Sequence, residues 1–323
     1  MYYSKLFTSL ICLLSVSCLG NEWGRAIFGQ NNIFESNVSS GIWSEKKKAV
    51  AMMVSTAFLE ERNDTFSLEE SLFTAISDPI NFNVCHDEPF AQQKANPESC
   101  TGFLIAPNIL ATAGHCAVND GRAFDDITIQ CANYSWLFDF ELEKNGKVSL
   151  VGKSSNRLYH CKRVIAAISD YKIKVPIANR PYGHDFALIE LDRPVLDRPF
   201  LKLNLDEPQV GELLNLIGHP LGLPQKISLS GRVNQTFHPY FYEASTDAFS
   251  GNSGSPALNK KGEVVGIVVR GPDNFYYDES ADCNRLNTCN DVGGQCVGFD
   301  PRETDADDGM HIQRISFLLD YLK

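Results

Sequence analysis

The chain is 323 residues long and 43% hydrophobic, with 40 acidic against 29 basic residues and a formal net charge of −11. That length supports one large domain or two medium ones with a sizeable core. So acidic a balance counts against a nucleic-acid partner, because binding there rewards clustered Lys and Arg.

The chain opens on MYYSKLFTSLICLLSVSCLG. Lys5 provides a short positive region, Leu6 to Val16 an apolar run, and Ser15, Ser17 and Gly20 small residues around a cleavage point. This reads as a signal peptide over residues 1–20, too short for a membrane span, and no transmembrane segment is expected elsewhere. The mature chain is expected to be secreted or periplasmic. Cys18 half fits a lipoprotein signal, but the leucine lies one place too early, so a lipid anchor through Cys18 is the less favoured alternative.

Beyond that region, strand-like runs dominate: KAVAMMV (48–54), GFLIAP (102–107), ITIQC (127–131), FALIEL (186–191), LLNLIGHP (213–220), KISLSGRV (226–233) and VVGIVVRG (264–271). Each is short, rich in β-branched residues and bounded by turn formers, which argues for an all-β barrel or sandwich. Two helices are expected. One covers FSLEESLFTAI (66–76), with Ser67 as N-cap and Glu70 three residues on; the other is C-terminal, from the spacing of Ile312, Ile315, Leu319 and Leu322. Residues 57–99 and the acidic stretch DPRETDADDG (300–309) fit no core pattern, and the latter matches no calcium-loop spacing. Sequons stand at Asn37, Asn63, Asn133 and Asn234.

Eight cysteines follow the signal region: Cys85, Cys100, Cys116, Cys131, Cys161, Cys283, Cys289 and Cys296. An even number in an exported chain implies disulfides. No CxxC pair is present, so zinc is not expected.

Three short stretches carry the chemistry. In FSGNSGSP (249–256), Gly251 allows a turn that aims backbone N–H groups at one point, and Gly254 allows close approach of substrate. Ser253 stands between them, whereas Ser255 is confined by Pro256. A serine hydroxyl needs a base, and the base needs a third group to hold its tautomer. His115, in ATAGHCAV (111–118), supplies the first. Asp185 heads the apolar run of GHDFALIEL (183–191), where an acid requires a hydrogen-bond partner such as a histidine N–H.

TAGHC, HDFALIEL and GNSGSP occur in the order His, Asp, Ser, and together they resemble the chymotrypsin/trypsin-like serine protease family over most of residues 26–323. GNSGSP, IGHPLGLPQK (217–226) and RAIFGQNN (25–32) resemble its bacterial secreted branch. The resemblance implies two six-stranded antiparallel β-barrels, about 26–198 and 199–311, with a C-terminal helix over 312–322. It implies Ser253 as nucleophile, His115 as general base then acid, Asp185 as orienting carboxylate, and the N–H groups of Gly251 and Ser253 as oxyanion hole. It also implies a Cys100–Cys116 disulfide, leaving the connectivity of the other six cysteines open. Neither cofactor nor metal is implied; the expected partner is a protein or peptide substrate, and the expected state a monomer.

The resemblance also bears on specificity. Asp247 lies six residues before Ser253, where trypsins carry the acid that selects Arg or Lys at P1 (the substrate residue before the cleaved bond). A hydrogen-bonded structural acid is the competing reading. Arg270 and Gly271 fall on the strand that lines the substrate subsites, and Arg270 could neutralise Asp247 or favour acidic substrate residues nearby. Asn252 stands where animal trypsins place the aspartate that receives a new N-terminal ammonium, so that activation route is not expected here. The expected activity is a secreted serine endopeptidase, the alternative a catalytically weak or inactive peptide-binding relative. A fused peptide-binding module has no room, and an α/β-hydrolase would need the order Ser, Asp, His.

Overall fold

A computed structural model describes residues 26–68, 71–72, 83–96, 99–118, 131–148, 152–169, 183–291, 296–297 and 309–322. Six strands close the first barrel: β1 (Val50–Ser55), β2 (Thr101–Ala106), β3 (Ile109–Thr112), β4 (Tyr134–Phe138), β5 (Leu158–Ser169) and β6 (Asp185–Leu191). They pair antiparallel in the order β4-β5-β6-β3-β2-β1, and β1 returns to β4 through Trp136 against Met53. The second barrel comprises β7 (Leu213–Gly218), β8 (Lys226–Gln235), β9 (Phe241–Ser245), β10 (Pro256–Leu258), β11 (Val264–Arg270) and β12 (Met310–Arg314). Its order is β7-β10-β11-β12-β9-β8, closed by β7 on β8, with Ile33–Glu35 added at the edge of β8.

The apolar runs explain these strands. Val50, Met52 and Val54 alternate with Ala51, Met53 and Ser55, and all are buried because β1 is covered on both faces. Phe103, Leu110, Trp136, Phe186 and Leu188 fill the first barrel, and the same cluster continues into Ile217, Ile227, Leu258 and Ile267 of the second. Glycine serves close approach at Gly114, where a Cβ would run into the Ile168 carbonyl. That lets the His115 turn lie flat on β5 and β6.

The structure departs from expectation in several places. Thr65–Leu68 is a strand paired with Leu59–Arg62, so the helix expected from residue 66 does not form there; residues 73–76 lie outside the described set. The polar stretch offers alternating, not helical, burial: Phe66 and Leu68 point inward and Thr65 outward. The C-terminal helix expected over 312–322 is strand as far as Arg314 and then a 3-10 helix, Ile315–Tyr321. Ile312 belongs to the sheet, which uses a two-residue period that the three-and-four spacing concealed. Of residues 26–35, expected with the first barrel, Ile33–Glu35 pairs with β8 of the second and Ile27–Phe28 pairs with Thr288–Cys289 in a separate two-stranded sheet. Residues 127–130, most of 300–309 and the signal region lie outside the described set.

All eight expected cysteines are joined: Cys85–Cys283, Cys100–Cys116, Cys131–Cys161 and Cys289–Cys296. Among the described residues no helix is long and apolar enough to cross a membrane.

Candidate active site

His115 sits in a 3-10 turn, Gly114–Cys116, directly after β3. Asp185 is the first residue of β6 and is 2% exposed. Its Oδ1 accepts the His115 backbone N–H at 2.9 Å and its Oδ2 lies 2.7 Å from His115 Nδ1. A carboxylate only accepts, so Nδ1 carries the ring proton and the Nε2 lone pair faces away from Asp185. Asp185 is fixed in turn: its backbone N–H donates to Gln313 Oε1 at 2.8 Å, and Gln313 Nε2 donates to the Tyr240 carbonyl at 2.9 Å. Gln313, fully buried on β12, is a residue that sequence reasoning missed, since an amide in a strand carries no motif.

Ser253 is buried in the turn between β9 and β10. Gly251 and Gly254 both take positive φ, +89° and +87°, a region that strains any residue with a Cβ. Gly254 was expected to admit substrate; instead a Cβ there would strike the Thr101 carbonyl and Thr112, so the glycine lets the two barrels meet. The Ser253 carbonyl accepts the Thr101 N–H at 2.7 Å and lies 3.9 Å from the Cys116 sulfur. The Cys100–Cys116 disulfide therefore ties the residue beside His115 to the strand that holds Ser253. The ligand atoms of Cys100, His115 and Cys116 lie within 4.8 Å of one another, but both sulfurs are spent on the disulfide, so the group is no metal site. Thus Asp185 binds His115, and the Ser253 carbonyl lies against the cysteine next to His115.

Thr101 is a second missed residue. Its hydroxyl donates to the Gly251 carbonyl at 2.8 Å and accepts the His219 N–H at 3.0 Å. His219 is fully buried, and burial pushes its imidazole down to about 3. Asn252, neutral as expected of its position, accepts the Ser255 hydroxyl at 3.3 Å.

Asp247 is 2% exposed, and its carboxylate faces the N-terminal segment. Phe28 N–H donates to Oδ1 at 2.8 Å and Asn32 N–H to Oδ2 at 2.6 Å. Burial raises its pKa to about 6 against the opposing pull of those two donors. Arg270 turns instead to His311, its Nε donating to Nδ1 at 2.6 Å, with the guanidinium 5.4 Å from the Phe241 ring centre. Gly271 follows it, half-buried, at the end of β11.

Two antiparallel barrels with a buried His–Asp pair and a glycine-flanked serine define the chymotrypsin-like class. A model of the trypsin-like peptidase domain matches residues 100–267, and the chain belongs to that family. A probable periplasmic serine endoprotease, DegP-like, of Pseudomonas putida strain F1 is 40% identical over 113 residues, 32% of this chain and 23% of that protein. Its counterpart in strain GB-1 is 34% identical over the same length and shares. The chain thus spans under a quarter of these relatives' length. Among solved structures, a Glu endopeptidase aligns over 92% of this chain and 97% of its own, with a TM-score of 0.48 and 15% identity. A serine endoprotease from Yersinia pestis aligns over 70% and 56%, with a TM-score of 0.39 and 17% identity.

Proposed function

We propose that this chain is an exported serine endopeptidase in which Ser253 is the nucleophile, His115 the general base and then acid, and Asp185 the orienting carboxylate. The observation that carries the reading is the pair of hydrogen bonds from His115 to Asp185, which holds the ring with Nε2 turned away from the carboxylate, beside a Cys116 whose sulfur lies 3.9 Å from the Ser253 carbonyl. His115 takes the Ser253 hydroxyl proton as Oγ attacks the peptide carbonyl. It then returns that proton to the departing amine, and water repeats the sequence to release the acyl group. The charge that develops on the carbonyl oxygen meets the N–H groups of Gly251 and Ser253, and losing one such donor costs about 3–4 kcal/mol of transition-state stabilisation. Export is supported by the N-terminal signal pattern, the four disulfides and the periplasmic naming of the Pseudomonas relatives. The substrate is a protein or peptide.

Cleavage after Arg or Lys is the finer reading, and it rests on Asp247 alone. Two backbone donors already meet that carboxylate, which lowers the reward for a cationic side chain.

The test is a fluorophosphonate probe on the purified chain. Labelling should fall on Ser253, and Ser253→Ala or His115→Ala should remove both labelling and peptidase activity without unfolding the chain. Labelling at Ser255, or full activity in Ser253→Ala, refutes the assignment. A folded chain that takes no label is the peptide-binding relative instead.

A further inference from the structure

We propose that Asp247 is a positioning residue: it fastens the segment Ala26–Asn32 to the back of the turn that carries Ser253, and does not select the substrate. This rests on the reading of Ser253 as nucleophile.

The segment lies between two parts of the chain. On one side Ile27–Phe28 runs parallel to Thr288–Cys289, with Ile27 N–H on the Asn287 carbonyl and Gly29 N–H on the Cys289 carbonyl, both at 3.0 Å. Donors alternate along an extended strand, so the Phe28 N–H faces the opposite way, and there Asp247 Oδ1 receives it. Asn32 N–H fills Oδ2, and the Ala248 N–H donates back to the Ala26 carbonyl at 3.3 Å. Apolar contact reinforces this bridge: Ile27, Phe249 and Leu286 form one buried cluster.

The rest of the turn is held from other directions. Asn274 Oδ1 accepts the Ser250 N–H at 2.9 Å and its Nδ2 donates to Ser250 Oγ at 2.7 Å. The Asn252 N–H closes on the Phe249 carbonyl, and Thr101 holds the Gly251 carbonyl. Asp247 anchors the remaining end. Each carboxylate oxygen already carries a charge-assisted bond, and the cavity that Asp247 lines with Ile33, Leu216, Lys226 and Asn252 has room for about one water molecule. Without the carboxylate, two buried N–H groups lose their acceptor, and the segment and the turn must shift to find others.

The experiment uses the purified full-length protein, with Asp247→Asn, Asp247→Ala and Phe28→Pro. The proline removes the Phe28 donor but leaves both ladder bonds of the parallel pair. Kinetics are read on matched peptides with Arg, Leu or Glu at P1, and hydrogen exchange is read over residues 245–253. In Asp247→Ala, kcat should fall by about 10-fold or more on all three peptides, with KM little changed, because misplacing a reacting group costs rate rather than affinity. Asp247→Asn, which keeps one acceptor, should recover part of that loss, and Phe28→Pro should reproduce its pattern. Exchange over 245–253 should rise in Asp247→Ala and Phe28→Pro, including in a Ser253→Ala background. A loss confined to the Arg peptide, or unchanged exchange, overturns the proposal. Exchange does not depend on activity, so a chain with no hydrolytic activity would refute the serine peptidase reading while the anchor is still decided.

Discussion

Thr101 links three separate parts of the site. Its hydroxyl serves the Gly251 carbonyl and the His219 N–H, while its backbone N–H serves the Ser253 carbonyl. Thr101→Val keeps the shape and the backbone bond but leaves a buried donor and a buried acceptor unpaired. It should destabilise the chain by about 1–3 kcal/mol in urea titrations, and it should lower kcat more than it changes KM, since Gly251 loses its support. An unchanged midpoint would show that water replaces the hydroxyl. Residues of this kind escape sequence reading because their importance lies in partners distant along the chain. Ser253, His115 and Asp185 could be picked out because their neighbours form short, ordered motifs. Thr101 and Gln313 sit in strands whose composition announces only a strand. Asp247 was visible by its spacing from Ser253, but the two N–H groups that engage it lie more than two hundred residues earlier, so its role was not.

At the level of elements, the pattern of apolar runs located β1, β2, β6, β7, β8 and β11, because a strand covered on both faces must be almost wholly apolar, but β4, β5 and β9, whose residues are more mixed, were not picked out. It failed where short segments pack differently. The pairing of Thr65–Leu68 and the strand character of Met310–Arg314 come from tertiary contacts that override a weak helical pattern. The disulfides show how elements are held. Cys100–Cys116 closes the short loop of β2 and β3 and fixes the turn that bears His115. Replacing both cysteines by alanine should cost about 3 kcal/mol of stability by loop-closure entropy, measured as a lower urea midpoint. It should also lower kcat, because the turn that bears His115 then loses its covalent tie to β2. Unaltered kcat would limit that disulfide to stability.

Taken whole, the molecule carries buried titratable groups that oppose one another with pH. His219 and His238 are depressed to about 3 and about 4, chiefly by burial. The unfolded chain therefore binds protons at these sites before the folded chain does, and their contribution is present above about pH 6.5 and lost as pH falls toward 4. Asp247 runs the other way: raised to about 6, it favours the folded state at low pH, a contribution lost as pH rises through 6. Two histidines outweigh one aspartate, even with His238 discounted for its solvent exposure. Stability should therefore fall between pH 6 and pH 4 by about 1 kcal/mol per pH unit, seen as a declining thermal midpoint. His219→Gln should flatten that decline, and a slope unaffected by it would assign the effect elsewhere. The parallel pair of Ile27–Phe28 with Thr288–Cys289 has a further consequence, in time. During synthesis the first of these strands emerges early and waits for its partner until residue 288 has been made. Contacts so distant along the chain form late, because the intervening loop must close first. The backing of the Ser253 turn is thus completed only once residue 288 has been made, so a nascent chain holds Ser253 before it holds the frame that fixes its turn.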